Sequence, residues 1–198
     1  MELSEDILHQ FYVDKKYSVS EIADRFNCSE NRINYWLGKF DIKKRSLSDA
    51  MYVKYNPKGD PFLLKEPKTL EEAKLLGLGL GLYWGEGNKR NKNSIRLGNT
   101  DPALIKKFIN FLINIFGIRR DKLRFGLQIF NDMSNQKILN FWLKQLAEFD
   151  IKKEQFFKIT VTPSRSIGSY REKSKFGVLT VHFANTKLKK IIDSMLPL

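Results

Sequence analysis

The chain has 198 residues, of which 42% are hydrophobic, and a formal net charge of +13; these values predict one ordinary domain plus a small appendage and indicate a polyanion-binding protein. No apolar run approaches the roughly 18 residues of a membrane span, so we expect no membrane contact. The single cysteine, Cys28, excludes an intramolecular disulfide, so we expect a cytoplasmic protein. Residues 1–45 hold eight basic and eight acidic side chains, whereas residues 46–198 hold twenty-seven and fourteen, so the polyanion-binding surface is expected in the larger part.

Residues 1–45 predict a small domain of three helices, at about 4–15, 19–26 and 30–39. Ser18 and Glu21 form a capping box that starts the second helix. The apolar spacing and the small Ala23 are typical of a helix-turn-helix, whose last helix enters the major groove of DNA. A protein-contact role stays open, because this segment has no net charge. The groove-facing candidates are Glu30, Asn31, Arg32, Asn34 and Tyr35.

Residues 46–69 are predicted to be a linker, because they contain Pro57, Gly59, Pro61 and Pro67, which interrupt regular structure. The basic cluster 43–45 just before it is interpreted either as a solvated helix end or as a phosphate contact. The second domain is expected to span residues 70–198.

The run from 73 to 88 predicts an unusual helix that ends at Glu86. Glycine costs a helix about 1 kcal/mol relative to alanine, yet Gly77, Gly81 and Gly85 recur at i, i+4 and i+8, on one stripe. We expect a second helix to approach this stripe backbone to backbone. Gly87 suits a left-handed C-terminal cap. The alternative is a helix packed tightly inside its own domain, with Glu86 meeting solvent or an arginine.

The rest of the chain predicts strands at about 94–98, 122–130, 155–162 and 176–183, with helices after Asp101, at 134–148 and at 186–195. On the second strand, Lys122, Arg124 and Gln128 lie opposite the apolar face. Arginine can pair with guanine and glutamine with adenine in the major groove, although an ordinary solvent-facing sheet stays open. The other nucleic-acid candidates lie in the turn at 88–93, the strands and the Ser-rich loop at 163–175: Lys89, Arg90, Lys92, Arg96, Lys158, Thr160, Arg165, Arg171, Lys173 and Lys175.

The run Leu80-Gly81-Leu82-Tyr83-Trp84-Gly85-Glu86-Gly87 resembles the motif of LAGLIDADG homing endonucleases, and the segment 94–102 resembles that family's strand and second helix. The resemblance covers roughly residues 70–198 and includes one motif. It implies that Glu86 binds the catalytic metal, Mg²⁺, with help from the main-chain carbonyl of Gly85. It also implies that two copies pack through their motif helices, at Gly77, Leu78, Gly81, Leu82 and Gly85.

The expected fold class is therefore α+β, with a small trihelical helix-turn-helix domain followed by a LAGLIDADG-type α/β saddle domain with an antiparallel sheet. The order departs from the family's αββαββα unit, because a helix at 134–148 separates two of the strands. The lysine of the family's catalytic pocket has three candidates here: Lys89, Lys158 and Lys175.

Three functions follow from the resemblance. The first is a homodimeric, Mg²⁺-dependent, site-specific endonuclease that hydrolyses both strands of double-stranded DNA, and the intact acid at Glu86 favours it. The second is a transcription regulator that keeps the fold without cleavage, which the helix-turn-helix favours. The third is an RNA-binding maturase, whose basic surface would have a similar sequence. The sequence favours the first.

Overall fold

The computed structural model describes residues 3–164 and 174–197. The chain folds into two compact units, Met1–Asp60 and Pro61–Leu198, and the division between them falls inside the predicted linker. None of the helices in these described ranges is long and apolar enough to cross a membrane. Three of the predicted DNA-binding residues lie outside the described residues: Arg165, Arg171 and Lys173.

The first unit is helical and has its own core. Ser18 and Glu21 form the predicted capping box at the start of the second helix, and Ser29 caps the third. Asn27, with φ of 48°, turns the chain between those two helices. The helices are α1 (Glu5–Leu8), which continues as a π-helix (His9–Asp14), α2 (Val19–Arg25), α3 (Glu30–Lys39) and α4 (Leu47–Tyr55). The core consists of Leu3, Leu8, Tyr12, Ile22, Ala23, Ile33 and Leu37.

Helix α4 lies within the predicted linker. Ser46 starts it by accepting a hydrogen bond from the Asp49 amide at 3.1 Å, and the proline and glycine that interrupt regular structure come only after its end. Just before it, Arg45 donates from Nη1 to the Lys16 carbonyl at 2.9 Å and from Nη2 to the Tyr17 carbonyl. Arg45 therefore holds the end of the trihelical segment in place, which neither interpretation of the basic cluster predicted.

The second unit is a four-stranded sheet with helices packed on one face. The strand order is β1-β4-β2-β3, and β4 runs antiparallel to both β1 and β2. The helices and strands are α5 (Leu70–Glu86), β1 (Ile95–Asn99), α6 (Pro102–Asn114), β2 (Arg124–Phe130), α7 (Asn135–Gln145), β3 (Thr160–Thr162), β4 (Val178–Phe183) and α8 (Thr186–Ser194), with short 3-10 turns at Arg120–Lys122, Ala147–Phe149 and Lys153–Gln155.

The prediction of a wholly antiparallel sheet was wrong, because β3 runs parallel to β2. Helix α7 lies between these two strands in the chain, and a crossover of that kind returns the second strand in the same direction. Strand β3 is also shorter than the predicted strand at 155–162. The Gln155 side chain is buried and donates to the carbonyls of Arg120 and Leu123 at 2.8 and 3.1 Å, which holds residues 153–155 in a helical turn.

The predicted left-handed cap at Gly87 was also wrong. Its φ is −76° and its ψ 150°, an extended conformation, and the residue forms a β-bridge with Leu97. A Cβ at Gly87 would lie 2.4 Å from the Tyr83 carbonyl oxygen. Glycine is therefore needed for a close approach to the preceding turn of α5.

The core of the second unit lies between the sheet and helices α5 and α6. Tyr83 and Phe108 stack with ring centroids 6.0 Å apart, and Gly79 packs against the ring of Phe111. On the other side of the core, Trp142 of α7 donates from Nε1 to the Phe176 carbonyl at 2.7 Å. The sheet contributes one face to this core through Ile95, Leu97, Phe125, Leu127, Ile129, Leu179, Val181 and Phe183.

Candidate nucleic-acid interface

The second face of the sheet is open. Along β4, Leu179, Val181 and Phe183 are buried, whereas the residues that alternate with them are half-buried, as the two-residue period of a strand requires. We call this second face the open face. The strand register brings these residues to it: Arg96, Gly98, Arg124, Gly126, Gln128, Thr160, Val178, Thr180 and His182.

Three of these residues form a row across the sheet, which we call the basic row: Arg96, His182 and Arg124. His182 of β4 pairs with Arg96 of β1 on one side and with Arg124 of β2 on the other. Strands in a sheet lie about 4.8 Å apart, so the two arginine backbones are about 10 Å apart. The row crosses one end of the sheet, where β1 and β2 begin and β4 ends.

Both arginines of the basic row are held by one nitrogen each. Arg96 donates from Nε to Ser94 Oγ at 2.7 Å, and Ser94 is itself buried and bonded to Asn91. Arg124 donates from Nη1 to the carbonyls of Asp121 and Leu123 at 2.7 and 2.8 Å. Among the described residues neither guanidinium makes another hydrogen bond, so the remaining N–H groups are available to an anion. Fixed guanidiniums of this kind suit phosphate oxygens.

His182 is half-buried in the middle of this row, and sequence analysis did not identify it. Burial, and then the positive charge of Arg96, lower the pKa of its imidazole below the ordinary value of 6.5. The edge of the Phe157 ring meets it at 5.3 Å between centroids, with the ring planes at 84°. The alternation of β4 could have placed His182 opposite the core, but its arginine neighbours depend on strand pairing.

Two glycines of the open face make room for neighbouring side chains beside the basic row. A Cβ at Gly98 would lie 2.8 Å from Thr180 Oγ1, and one at Gly126 would lie 3.1 Å from His182 Nε2. Beyond them, Gln128 pairs with Thr160 of β3. The Thr180 hydroxyl therefore occupies the space beside Gly98, the His182 imidazole occupies the space beside Gly126, and the neutral Gln128 and Thr160 lie further along the face.

The predicted metal-binding acid, Glu86, is the last residue of α5 and is exposed. Beside it, Lys89 donates from Nζ to the Trp84 carbonyl at 2.5 Å, placing a cation at the negative end of the helix dipole. Among the described residues, groups of three or more His, Cys, Asp or Glu side chains suited to a metal ion do not occur. One carboxylate and the Gly85 carbonyl are oxygen ligands suited to Mg²⁺, and a second chain would be needed to bring two such acids together.

The glycine stripe of α5 faces away from its own core. A Cβ at Gly77, Gly81 or Gly85 would meet nothing within 4 Å. On the same side of the helix, Leu78 is 46% exposed and Trp84 is 51% exposed. The alternative in which this stripe packs inside its own domain is therefore wrong.

Family models, curated proteins and solved structures were compared with this chain, and none of them matches. The LAGLIDADG resemblance therefore depends on the motif residues quoted above.

The remaining candidates divide by exposure. In the first unit, Asn34 is half-buried and Tyr35 is 63% exposed. In the second, Lys122 ends a helical turn before β2 instead of lying on the strand as predicted, and Leu82 packs against its own core instead of lying on the open side of α5. The other exposed candidates of the two units are Glu30, Asn31, Arg32, Arg90, Lys92, Lys158 and Lys175.

Proposed function

We propose that this protein is a homodimeric, divalent-metal-dependent, site-specific DNA endonuclease of the LAGLIDADG homing type. The observation that carries the proposal is helix α5, which is open along Gly77, Gly81 and Gly85 and ends in the exposed carboxylate of Glu86. A close symmetric contact through this stripe would bring two copies of α5 together. One Glu86 carboxylate would then lie on each side of the symmetry axis.

DNA binding is supported by the charge and by the open face. The second unit carries most of the basic excess, and its open face presents two anchored guanidiniums with Gln128 and Thr160. Guanidiniums bind phosphates and guanine edges, and the glutamine amide matches adenine in the major groove. This combination supports a sheet that lies along a duplex and reads part of its sequence.

At the proposed catalytic site, Glu86 and the Gly85 carbonyl would hold the metal, and the open face would hold the duplex in register with it. Mg²⁺, when bound there, would supply an activated water and charge stabilisation at the scissile phosphate. The position of Glu86 at a helix end, just before the turn to β1, keeps the carboxylate at the surface where a phosphate can reach it.

Replacing Glu86 with glutamine should abolish cleavage and keep DNA binding, because the amide keeps the shape of the side chain but lacks the charge that binds Mg²⁺. Purified wild type and Glu86→Gln would be incubated with a random-duplex library in Mg²⁺, and bound and cut molecules would be sequenced. Glu71→Gln, an exposed acid in the first turn of the same helix, is the matched control and should cut normally. Defined cuts that persist in Glu86→Gln would refute the assigned role.

A non-cleaving transcription regulator is the second candidate. The contact between Lys89 Nζ and the Trp84 carbonyl favours it, because an ammonium already occupies the helix end next to Glu86. Specific binding by wild type without cuts, unchanged in Glu86→Gln, would support this candidate and overturn the endonuclease. An RNA duplex of the same sequence should compete poorly in either case, because the A-form major groove is too narrow for side chains; strong competition would favour the maturase.

The dimer contact has its own test at Gly81. Gly81→Leu should raise the dimer dissociation constant about a hundredfold, because two-fold symmetry introduces the bulky side chain twice and each overpacked site costs about 1–3 kcal/mol. Sedimentation velocity across a concentration series would measure it. Lys144→Leu, at an exposed position on α7, adds the same side chain elsewhere and should leave association unchanged. A dimer that survives Gly81→Leu would contradict the proposed contact.

A further inference from the structure

The charge of the basic row depends on pH, because one of its three residues is a histidine. Its central member, His182, lies between two arginines, one on each neighbouring strand. Half-burial makes the charge of a protonated imidazole costly there, and the positive charge of Arg96 repels it further. In the free protein the imidazole is therefore the one member of the row that stays neutral.

We infer that the basic row is a binding site for a backbone phosphate of DNA, and that His182 takes up a proton when the phosphate binds. The inference rests on the proposed function, in that DNA must lie on the open face. It adds a residue that the motif does not include, and it assigns this end of the sheet to the phosphate backbone. Gln128 and Thr160, further along the open face, remain for the base edges.

The geometry supports phosphate as the ligand. Arg96 and Arg124 are each anchored through one nitrogen, so their remaining N–H groups can bind oxygens without first being ordered. Gly126 makes room for the imidazole in the row, because a Cβ there would lie 3.1 Å from Nε2 and would push the ring aside. A phosphate that bridges the row would offset the repulsion between Arg96 and an imidazolium, and it would accept a hydrogen bond from each member of the row.

The sign of the pH effect follows from linkage. The charged residues next to His182 are Arg96 on β1 and Arg124 on β2, of which Arg96 acts on its pKa, and the uncharged ring of Phe157 packs against it. In the free protein, burial and Arg96 hold the pKa of His182 below its ordinary value. A bound phosphate places negative charge beside the ring and raises that pKa. DNA affinity therefore increases as pH falls through the pKa of His182 in the bound protein. The gain is about tenfold for each unit by which this pKa exceeds that of the free protein.

The test compares wild type with His182→Gln and with His9→Gln, because these are the two histidines of the chain. Binding to a short duplex would be measured by fluorescence anisotropy from about pH 8 down to about pH 5, without Mg²⁺ so that no cleavage occurs. Wild type and His9→Gln should bind about tenfold more tightly at the low end. His182→Gln should lose most of that gain.

The salt dependence gives a second readout that a purely structural role would not change. Each neutralised phosphate adds about 0.9 to the slope of log affinity against log salt. The wild-type slope should therefore steepen by about one between high and low pH, and the slope of His182→Gln should not. Circular dichroism at each pH would verify that each protein stays folded. This control is needed because folding lowers the pKa of His182, so the folded protein loses stability as pH falls and the histidine is protonated.

The wild-type imidazole can also be followed directly by NMR, so the test does not depend on a variant that folds. DNA should raise the pKa of His182. Inorganic phosphate alone should have little effect; an equal effect would identify a free-anion site and overturn the DNA-backbone assignment. DNA binding whose pH profile is the same in wild type and His182→Gln would overturn this inference alone. Absence of duplex binding by wild type at every pH would overturn the proposed function as well.

Discussion

Gly79→Ala is expected to lower the free energy of unfolding of the second unit by about 3 kcal/mol, the upper end of typical overpacking effects. A Cβ at Gly79 would lie 2.1 Å from Cγ of Phe111. The Phe111 ring is fully buried and meets Phe108 and Phe116 at 5.8 and 5.1 Å between centroids. It has no room to swing aside, so helices α5 and α6 would have to separate.

The matched control is Gly81→Ala, two residues further along the same helix. A Cβ there would meet nothing within 4 Å, and alanine favours a helix over glycine by up to about 1 kcal/mol. The monomer should therefore keep its stability or gain some. Urea unfolding at low protein concentration would measure both variants, in a Trp36→Phe background so that tryptophan fluorescence reports only the second unit. Equal losses of unfolding free energy in Gly79→Ala and Gly81→Ala would contradict a helix α5 that is buried at Gly79 and open at Gly81.

The second large effect is expected at Asp193. Lys189 is only 1% exposed, and its Nζ donates to both carboxylate oxygens of Asp193. Asp193→Ala would leave a buried ammonium without its partner, and such a loss typically costs about 3–5 kcal/mol. The Asp193 side chain is 28% exposed, so water would reach part of the site, and we expect a loss at the lower end of that range.

A double variant separates the ion pair from general packing. Lys189→Met with Asp193→Ala removes both charges and should be more stable than Asp193→Ala alone, because no buried charge remains. Urea unfolding in the same Trp36→Phe background would measure the cycle. Additive losses in the double variant would contradict a coupled pair.

This ion pair also supports the segment after Glu86. Lys189 Nζ lies 5.7 Å from the centroid of the Tyr83 ring, and burial together with the Asp193 charge raises the pKa of Tyr83. The Tyr83 hydroxyl therefore stays protonated and donates to the Asn88 carbonyl at 3.2 Å. Asp193→Ala would thus be expected to loosen the turn between α5 and β1 as well as the core.

Local signals in the sequence predicted most helix ends correctly. Ser18 with Glu21 and Asp101 with Pro102 start helices because a side-chain oxygen beside the first turn satisfies its free N–H groups. Gly117, with φ of 54°, follows the end of α6. These signals act over three or four residues, and nothing distant competes with them.

Errors arose where distant residues decide the local conformation. The extended conformation of Gly87 depends on its bridge to Leu97, and the turn at 153–155 depends on the bonds from Gln155 to Arg120 and Leu123. The sequence does not predict helix α4 for a different reason, because the prolines and the glycine after residue 56 give the whole of 46–69 the composition of a linker.

The sequence by itself determined the basic excess, the apolar alternation of β2 and β4, and a glycine stripe that ends in Glu86, because composition and spacing are properties of the chain. Tertiary structure alone decided that the stripe is open while Gly79 is buried, since a helix face is assigned by what packs against it. It also decided that His182 lies between Arg96 and Arg124. Those residues are far apart in the chain, and only the pairing of β4 with both β1 and β2 brings them into one row.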